Sequence, residues 1–99
     1  MSPSSTAFPI PELVVGENYL HDLVLEHRFK RVTQGMDQQQ VRSVLGKPDS
    51  FGPCSQLGGV PSGCALEYLY EAKLPTITTW AVFFNEHGRV LDTYRYNSP

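Results

Sequence analysis

The sequence has no excess of basic residues and no long apolar run. Eight lysines and arginines stand against ten aspartates and glutamates, which gives a formal net charge of −2. Nucleic-acid-binding proteins collect cationic side chains to contact phosphates, so we expect no nucleic-acid partner. No apolar segment approaches the roughly 20 residues that a membrane-spanning helix requires. The composition, 40% hydrophobic and 18% charged, is that of an ordinary globular domain.

Motifs that would indicate catalysis or metal binding are also missing. The histidines are His21, His27 and His87, and the first two stand six positions apart, on opposite sides of a helix, so they form no chelating pair. No Ser/His/Asp set has a signature spacing, and no glycine-rich loop leads from a strand into a helix. We expect no catalytic residues, no bound metal and no cofactor, and we predict that the protein is not an enzyme.

Two cysteines, Cys54 and Cys64, lie in one segment rich in glycine, proline and serine. They are candidates for a disulfide, which would stabilise the fold by roughly 2–3 kcal/mol on the chain-entropy estimate. The alternative is two free thiols in a reducing cytosol. A metal site is disfavoured because the spacing is too wide for a zinc knuckle and no histidine is near. A disulfide would indicate an oxidising compartment.

The N-terminal segment, residues 1–16, has no basic start, no long apolar segment and no cleavage site of a secretory signal. Two interpretations stay open: the protein is cytosolic, or an export signal has been removed and an initiator methionine supplied for expression. Because of its prolines and its Ser/Thr cluster, we interpret this segment as an extended arm. Residues 17–99 then form one domain, since a chain of this length has no room for a second core.

Residues 17–30 indicate a first helix. Apolar side chains recur there at spacings of three and four, and acidic residues come early while basic residues come late, which suits the helix dipole. The residues that share the apolar face are Leu20, Leu23, Val24 and His27.

The next segment contains start and stop signals for a short second helix. Asp37 is a suitable N-cap, and Gln40 three residues later completes a capping box. Met36 and Val41 stand at the positions of a hydrophobic staple. Gly46 supplies a left-handed stop, and a proline two residues later prevents the helix from resuming. Such a helix has one apolar edge and needs a sheet or another helix on that side only.

Three strands are predicted after the cysteine segment. Residues 64–72 alternate between two faces, residues 76–85 are β-branched and aromatic, and residues 89–96 return after a turn that contains Gly88. The order predicts an α+β fold: a two-layer sandwich in which two N-terminal helices pack on a three-stranded antiparallel meander. The contacts expected of the second helix join Met36, Val41, Val44 and Leu45 to Val82, Phe84 and Val90 or their neighbours.

Aromatic residues make up 11% of the chain, and most of them lie on the predicted sheet. Helices cover one face of such a sheet, so some rings must point to the outer face or line its rim. Tyrosine and tryptophan at a surface are typical anchors of protein interfaces. Core and edge packing is the alternative for the same rings. The candidates for partner binding are Tyr68, Tyr70, Trp80, Tyr94 and Tyr96.

Two groups of residues resemble a known family. The first is the pattern Gly-Met-Asp, Val, Leu-Gly-Lys-Pro, and the second is an aromatic strand followed by the hairpin "VFFNEHGRVLDTY". Over residues 30–96 the chain is similar to the SmpA/OmlA (BamE-like) domain of bacterial outer-membrane lipoproteins, whose layout is shared with the repeats of beta-lactamase inhibitory protein. The matching residues are Gly35, Met36, Asp37, Val41, Leu45, Gly46, Pro48 and, in the hairpin, Gly88.

The resemblance implies a non-catalytic protein-binding or scaffold module of an outer-membrane lipoprotein, acting in envelope integrity or outer-membrane protein assembly. Its partner would be another protein of the cell envelope. The module would be periplasmic and associated with the outer membrane through a lipid anchor that is absent from this chain. The Cys54/Cys64 loop is not part of the BamE pattern, which indicates a different branch with another partner.

Two alternatives follow. A soluble inhibitor or regulator would bind an enzyme through its sheet face, as beta-lactamase inhibitory protein does. A natural gene product without an export signal would be cytoplasmic. The oligomeric state stays open between a monomer and a dimer in which two copies exchange the arm or a helix.

Overall fold

Two helices precede a four-stranded sheet in the computed structural model, which describes residues 10–55, 59–74 and 78–97 and, for residues 10–15, the backbone alone. Helix α1 spans Ile10–Phe29 and helix α2 spans Gln38–Leu45. The strands are antiparallel and lie side by side in chain order: β1 (Ser50–Gly52), β2 (Leu66–Glu71), β3 (Thr78–Phe84) and β4 (Val90–Asn97). The predicted α+β fold is confirmed, with one strand more than the three-stranded meander that we expected.

The additional strand, β1, lies at the edge of the sheet and pairs with β2, where Phe51 stands opposite Tyr68. It has three residues, too few to show an alternation of apolar and polar side chains, and therefore the sequence did not indicate it. The predicted hairpin of β3 and β4 is present, and Gly88 in its turn has a φ of 74°. That positive φ is the conformation for which the glycine was expected.

Helix α1 begins at Ile10, so residues 10–16 are helical rather than part of an extended arm. Pro11 is compatible with this position because the first turn of a helix has no intrahelical partner for its N–H groups. The rest of the predicted arm, residues 1–9, lies outside the described residues. Neither helix in the described ranges has the length and apolar character needed to cross a bilayer.

The side of α1 that faces the sheet carries Leu25 and Phe29, both buried. The predicted apolar face, with Leu20, Leu23 and Val24, is instead exposed to solvent. Two carboxylates on the sheet side of the helix explain this orientation, because they bond groups of the strands and of the loop after β2, as described below. Helical spacing alone did not reveal which of two apolar faces would be buried.

Helix α2 begins and ends as the sequence predicts. The Asp37 side chain accepts a hydrogen bond from the Gln40 N–H at 2.8 Å, and the Gln40 side chain accepts one from the Asp37 N–H at 2.9 Å. Gly46 ends the helix with a φ of 86°. The capping box is therefore confirmed, and it satisfies two of the N–H groups that a helix start leaves without partners.

The core lies between the helices and the inner face of the sheet. Side chains alternate along each strand, so one set from β2, β3 and β4 points to the helices. The apolar edge of α2 contributes Val41 and Leu45, and Met36 and Val44 pack against the same cluster. The predicted contact between α2 and the sheet is confirmed. The sheet residues of the cluster are Tyr68, Tyr70, Trp80, Val82, Phe84 and Val90.

Candidate protein-binding surface

Three of the five aromatic candidates lie in the core. Tyr68, Tyr70 and Trp80 are 2–3% exposed and point to the helices. The strand register explains their common face, because Tyr68 pairs with Val82 and Tyr70 pairs with Trp80 across β2 and β3. These rings are therefore not available to a partner in this structure, and the core-packing alternative applies to them.

The polar atoms of these three rings attach the helices to the sheet. The Tyr68 hydroxyl donates to Gln38 Oε1 at 2.7 Å, and the Tyr70 hydroxyl donates to the carbonyl oxygen of Gly46 at 2.7 Å. Burial, with a smaller contribution from Tyr68, raises the pKa of Tyr70 above its usual range. Both hydroxyls thus fix the two ends of α2, which is a structural role.

Tyr94 and Tyr96 lie on the opposite, outer face of the sheet. They are two residues apart on β4, and their ring centroids are 4.6 Å apart at an interplanar angle of 56°. Tyr94 is 45% exposed, and Tyr96 is half-buried. Burial, followed by the nearby Glu67 and Tyr94, raises the pKa of the Tyr96 hydroxyl. The two rings form the accessible aromatic pair among the predicted candidates.

A disulfide between Cys54 and Cys64 closes a loop beside these rings, with the two Cα atoms 6.1 Å apart. The predicted bond is therefore confirmed. At one end of the loop the N–H and the hydroxyl of Ser55 both donate to Glu67 Oε1, at 3.1 and 3.2 Å. Glu67 is buried and belongs to the outer face of β2. The bonds thus hold the loop against that face.

The middle of the loop packs on Tyr94. A Cβ atom placed on Gly59 would lie 2.9 Å from carbons of the Tyr94 ring, and Gly59 has a φ of 88°. The loop backbone therefore approaches the ring more closely than any residue with a side chain allows. Beneath this contact Ala81 and Phe83, on the outer face of β3, are fully buried. The loop covers this part of the sheet.

We name the exposed parts of this region the loop–tyrosine surface. It consists of Tyr94, Tyr96, Gly59 and the disulfide. Its chemistry is that of a protein contact: flat rings with terminal hydroxyls on a rigid sheet, next to a covalently closed loop. No group of three or more potential metal ligands occurs in the described part of the chain.

A second polar cluster lies in a groove of about 200 Å³ between α1 and the sheet. Asp22 accepts hydrogen bonds from the N–H groups of Lys73 and Leu74, at 2.8 and 3.1 Å. Glu26 Oε1 accepts from Trp80 Nε1 at 3.1 Å and from Arg95 Nε at 2.8 Å. Both carboxylates are thus engaged within the chain. They orient α1 on the sheet rather than offer a reactive group.

Comparison with known proteins gives a likeness of fold. No protein-family model matches the chain, and no curated protein has a significant match. A solved structure provisionally described as an osmotically inducible lipoprotein, OsmE, is similar with a TM-score of 0.51 and 19% sequence identity. The similarity covers 67% of this chain and 70% of that one. It agrees, at the level of fold, with the resemblance to lipoprotein domains.

Two residues of the outer face had no local signal in the sequence. Glu67 alternates with apolar neighbours as any half-exposed strand residue does, and Gly59 is one of several glycines in a loop. Their roles depend on which strand the loop covers. The strand that the loop covers is decided by the pairing of segments distant in sequence. The one signal in the sequence was the high glycine content between the cysteines, which is typical of a backbone that approaches another group closely.

The Asp22 carboxylate yields a prediction for stability against pH. Burial acts to raise the pKa of this carboxyl, but the hydrogen bonds from Lys73, His21 and Leu74 outweigh burial and hold the pKa below its usual value. An Asp22→Asn variant should lose about 1–2 kcal/mol of unfolding free energy near neutral pH, because the amide is a weaker acceptor for two N–H groups. Denaturant titrations at several pH values measure this loss.

The sign of the pH effect follows from the lowered pKa. A carboxyl with a folded pKa below the unfolded value of about 3.9 stabilises the fold fully above that value. The contribution disappears as the pH falls through the folded pKa. The difference between the parent chain and Asp22→Asn should therefore shrink below about pH 4. A difference that is constant with pH, or one equalled by the exposed control Glu86→Gln, would contradict this role.

Proposed function

We propose that this protein is a non-catalytic, protein-binding module of the cell envelope, and that it binds its partner through the loop–tyrosine surface. The observation that carries the proposal is the exposed Tyr94 ring held between the closed loop and Tyr96. Aromatic rings on a rigid support bury a large area at little cost in side-chain entropy, which is why they anchor interfaces.

The disulfide supports an extracytoplasmic location. Structural disulfides persist in oxidising compartments and are rare in the cytosol. The similar fold of a solved structure adds a second kind of support, because that protein is provisionally described as an osmotically inducible lipoprotein. Attachment to the outer membrane and a role in envelope integrity or outer-membrane protein assembly remain part of the proposal.

The arrangement of polar groups favours binding over catalysis. The carboxylates in the groove between α1 and the sheet already bond Trp80, Arg95 and the loop after β2. An enzyme inhibitor that used an open sheet face is not favoured, because the helices fill the inner face and the loop covers part of the outer face. The loop–tyrosine surface presents aromatic rings with terminal hydroxyls, which suits a protein partner.

The test uses a photo-crosslinking amino acid at position 94 in the full chain, produced in its native host. We expect a covalent adduct with one envelope protein, identified by mass spectrometry. Tyr94→Ala and Tyr96→Ala should each weaken the binding of that protein at least about tenfold, which corresponds to 1.4 kcal/mol or more.

The matched control is Phe51, another exposed aromatic, which lies on the inner side of edge strand β1. The crosslinker at position 51 and the variant Phe51→Ala should leave the adduct and the affinity unchanged. Equal crosslinking from both positions, or full binding by Tyr94→Ala, would contradict the assignment of the surface. An adduct with a single soluble enzyme would instead support an inhibitor.

A further inference from the structure

The exposed side of α1 carries a row of large apolar residues. Tyr19, Leu20, Leu23 and Val24 are each between 43% and 60% exposed. Leu20, Leu23 and Val24 lie on the side away from Leu25 and Phe29, and Tyr19 flanks them at the groove between the helix and the sheet. We name these four residues the α1 stripe. A contiguous apolar patch of this kind on a small domain typically marks an interface.

Charged residues border the stripe, with opposite signs at its two ends. Glu17 lies one turn before Leu20, towards the N-terminus of the helix. Arg28 and Arg31 lie at the other end and line a shallow groove together with Leu20, Leu23 and Val24. Arg31 lies in the turn that follows the helix, where its N–H donates to the carbonyl oxygen of Arg28 at 2.9 Å. The surface is therefore acidic at one end, apolar in the middle and basic at the other end.

These charges have no ionic partner within the described residues. The ion pairs there involve Asp22, Glu26, Asp49 and Glu86 on the acidic side, and none involves Glu17, Arg28 or Arg31. All three side chains are exposed. They are thus available to a partner that lies along α1.

The spacing of the charges is symmetric about Val24. Glu17 lies seven positions before Val24, and Arg31 lies seven positions after it. Seven residues are two helical turns, so Glu17 and Val24 lie on the same side of the helix. Arg31, in the turn after the helix, lines the same groove as Val24. If a second helix with the same sequence lay antiparallel across Val24, each Glu17 would stand opposite the Arg31 of the other copy.

We infer that the α1 stripe binds a second copy of this chain, as an antiparallel pair of α1 helices with a two-fold axis at Val24. Such an interface uses the same surface on both copies, as two-fold dimers do. It buries Leu20 and Val24 of both copies, forms two Glu17–Arg31 pairs between the copies and places the two helix dipoles antiparallel. The aliphatic part of each Arg28 covers Leu20 of the other copy.

Charge favours a second copy over an anionic membrane surface. A membrane of that kind would attract Arg28 and Arg31 but repel Glu17, whereas a second antiparallel copy complements both ends of the stripe at once. The stripe lies on the helical layer and the loop–tyrosine surface lies on the outer face of the sheet. A dimer of this form therefore leaves both copies of the loop–tyrosine surface free.

Sedimentation equilibrium of the full chain over a wide concentration range tests the inference. The parent chain should show a reversible monomer–dimer equilibrium. Val24→Glu places two like charges at the axis and should weaken dimerisation at least about tenfold. Glu17→Arg and Arg31→Glu should each weaken it as well, because each creates like-charge contacts in both symmetric pairs.

The double variant Glu17→Arg with Arg31→Glu restores opposite charges and should recover dimerisation. This recovery distinguishes a direct contact from a change in net charge. Glu86→Arg, a charge reversal in the exposed β3–β4 turn, serves as the control and should have no effect. All substituted residues are exposed, so circular dichroism should show unchanged folding. A chain that stays monomeric at high concentration, or a dimer that Val24→Glu leaves intact, would overturn the inference.

Discussion

Replacing Trp80 with alanine should lower the free energy of unfolding by about 3–5 kcal/mol. Trp80 is 2% exposed at the centre of the inner sheet face, where α1 covers it. Truncation removes the packing of a large ring and leaves a cavity that the neighbouring strands cannot fill by relaxing. It also removes the Nε1 donor from Glu26, which then bonds Arg95 alone.

Urea denaturation followed by far-ultraviolet circular dichroism measures this loss, since Trp80 is the sole tryptophan and its fluorescence disappears with the substitution. Trp80→Phe retains a ring without the donor and should recover part of the loss. Tyr94→Ala is the matched control on the other face of the same sheet. Because its ring is 45% exposed, it should cost about 1 kcal/mol or less. If Trp80→Ala and Tyr94→Ala lowered the free energy of unfolding by similar amounts, the assignment of Trp80 to the buried face and Tyr94 to the accessible face would be contradicted.

The features that the sequence predicted well are those built from near neighbours in the chain. The start of α2 depends on Asp37 and Gln40, which bond each other's backbone across three residues. Its end depends on Gly46, and the β3–β4 turn depends on Gly88, both with positive φ. Each interaction is complete within one turn of chain. Residue type alone therefore specified it before any tertiary contact was known.

The assignment of faces failed where distant segments decide it. On α1 the exposed Leu20, Leu23 and Val24 are as apolar as the buried Leu25 and Phe29. The helix turned its other side to the sheet because Asp22 and Glu26 bond groups that lie more than 50 residues away. Periodicity predicts that such a helix has apolar sides, but it does not predict where the hydrogen-bond partners of Asp22 and Glu26 lie.

The five aromatic candidates show the same limit within the sheet. Alternation along residues 64–72 predicted that Tyr68 and Tyr70 share one face, and they do so. Tyr94 and Tyr96, also two residues apart, share the other face. Which face the helices cover follows from the path of the chain after α2, through the short strand β1. Since β1 had no signal in the sequence, the buried and accessible rings were not separable in advance.

Removing the disulfide should have the second large effect. The variant Cys54→Ser with Cys64→Ser should lose about 3 kcal/mol of unfolding free energy, because a bond between residues 10 positions apart restricts the unfolded chain. In the folded state the loop would remain attached through the bonds of Ser55 to Glu67 and the packing of Gly59 on Tyr94. These contacts are too few to hold the loop closed at all times. The loop should therefore open more often and expose the side chains of Ala81 and Phe83 to solvent.

Two measurements separate these effects. Urea denaturation gives the loss of stability, and amide hydrogen exchange at Ser55, whose N–H donates to Glu67, reports how often the loop opens relative to global unfolding. Reductant should reproduce both changes in the parent chain and should change nothing in the double variant, which contains no disulfide. If exchange at Ser55 stayed at the level set by global unfolding, the disulfide would act on the unfolded chain alone. A rise beyond that level, accompanied by weaker partner binding, would show that the closed loop also positions Tyr94 for its partner.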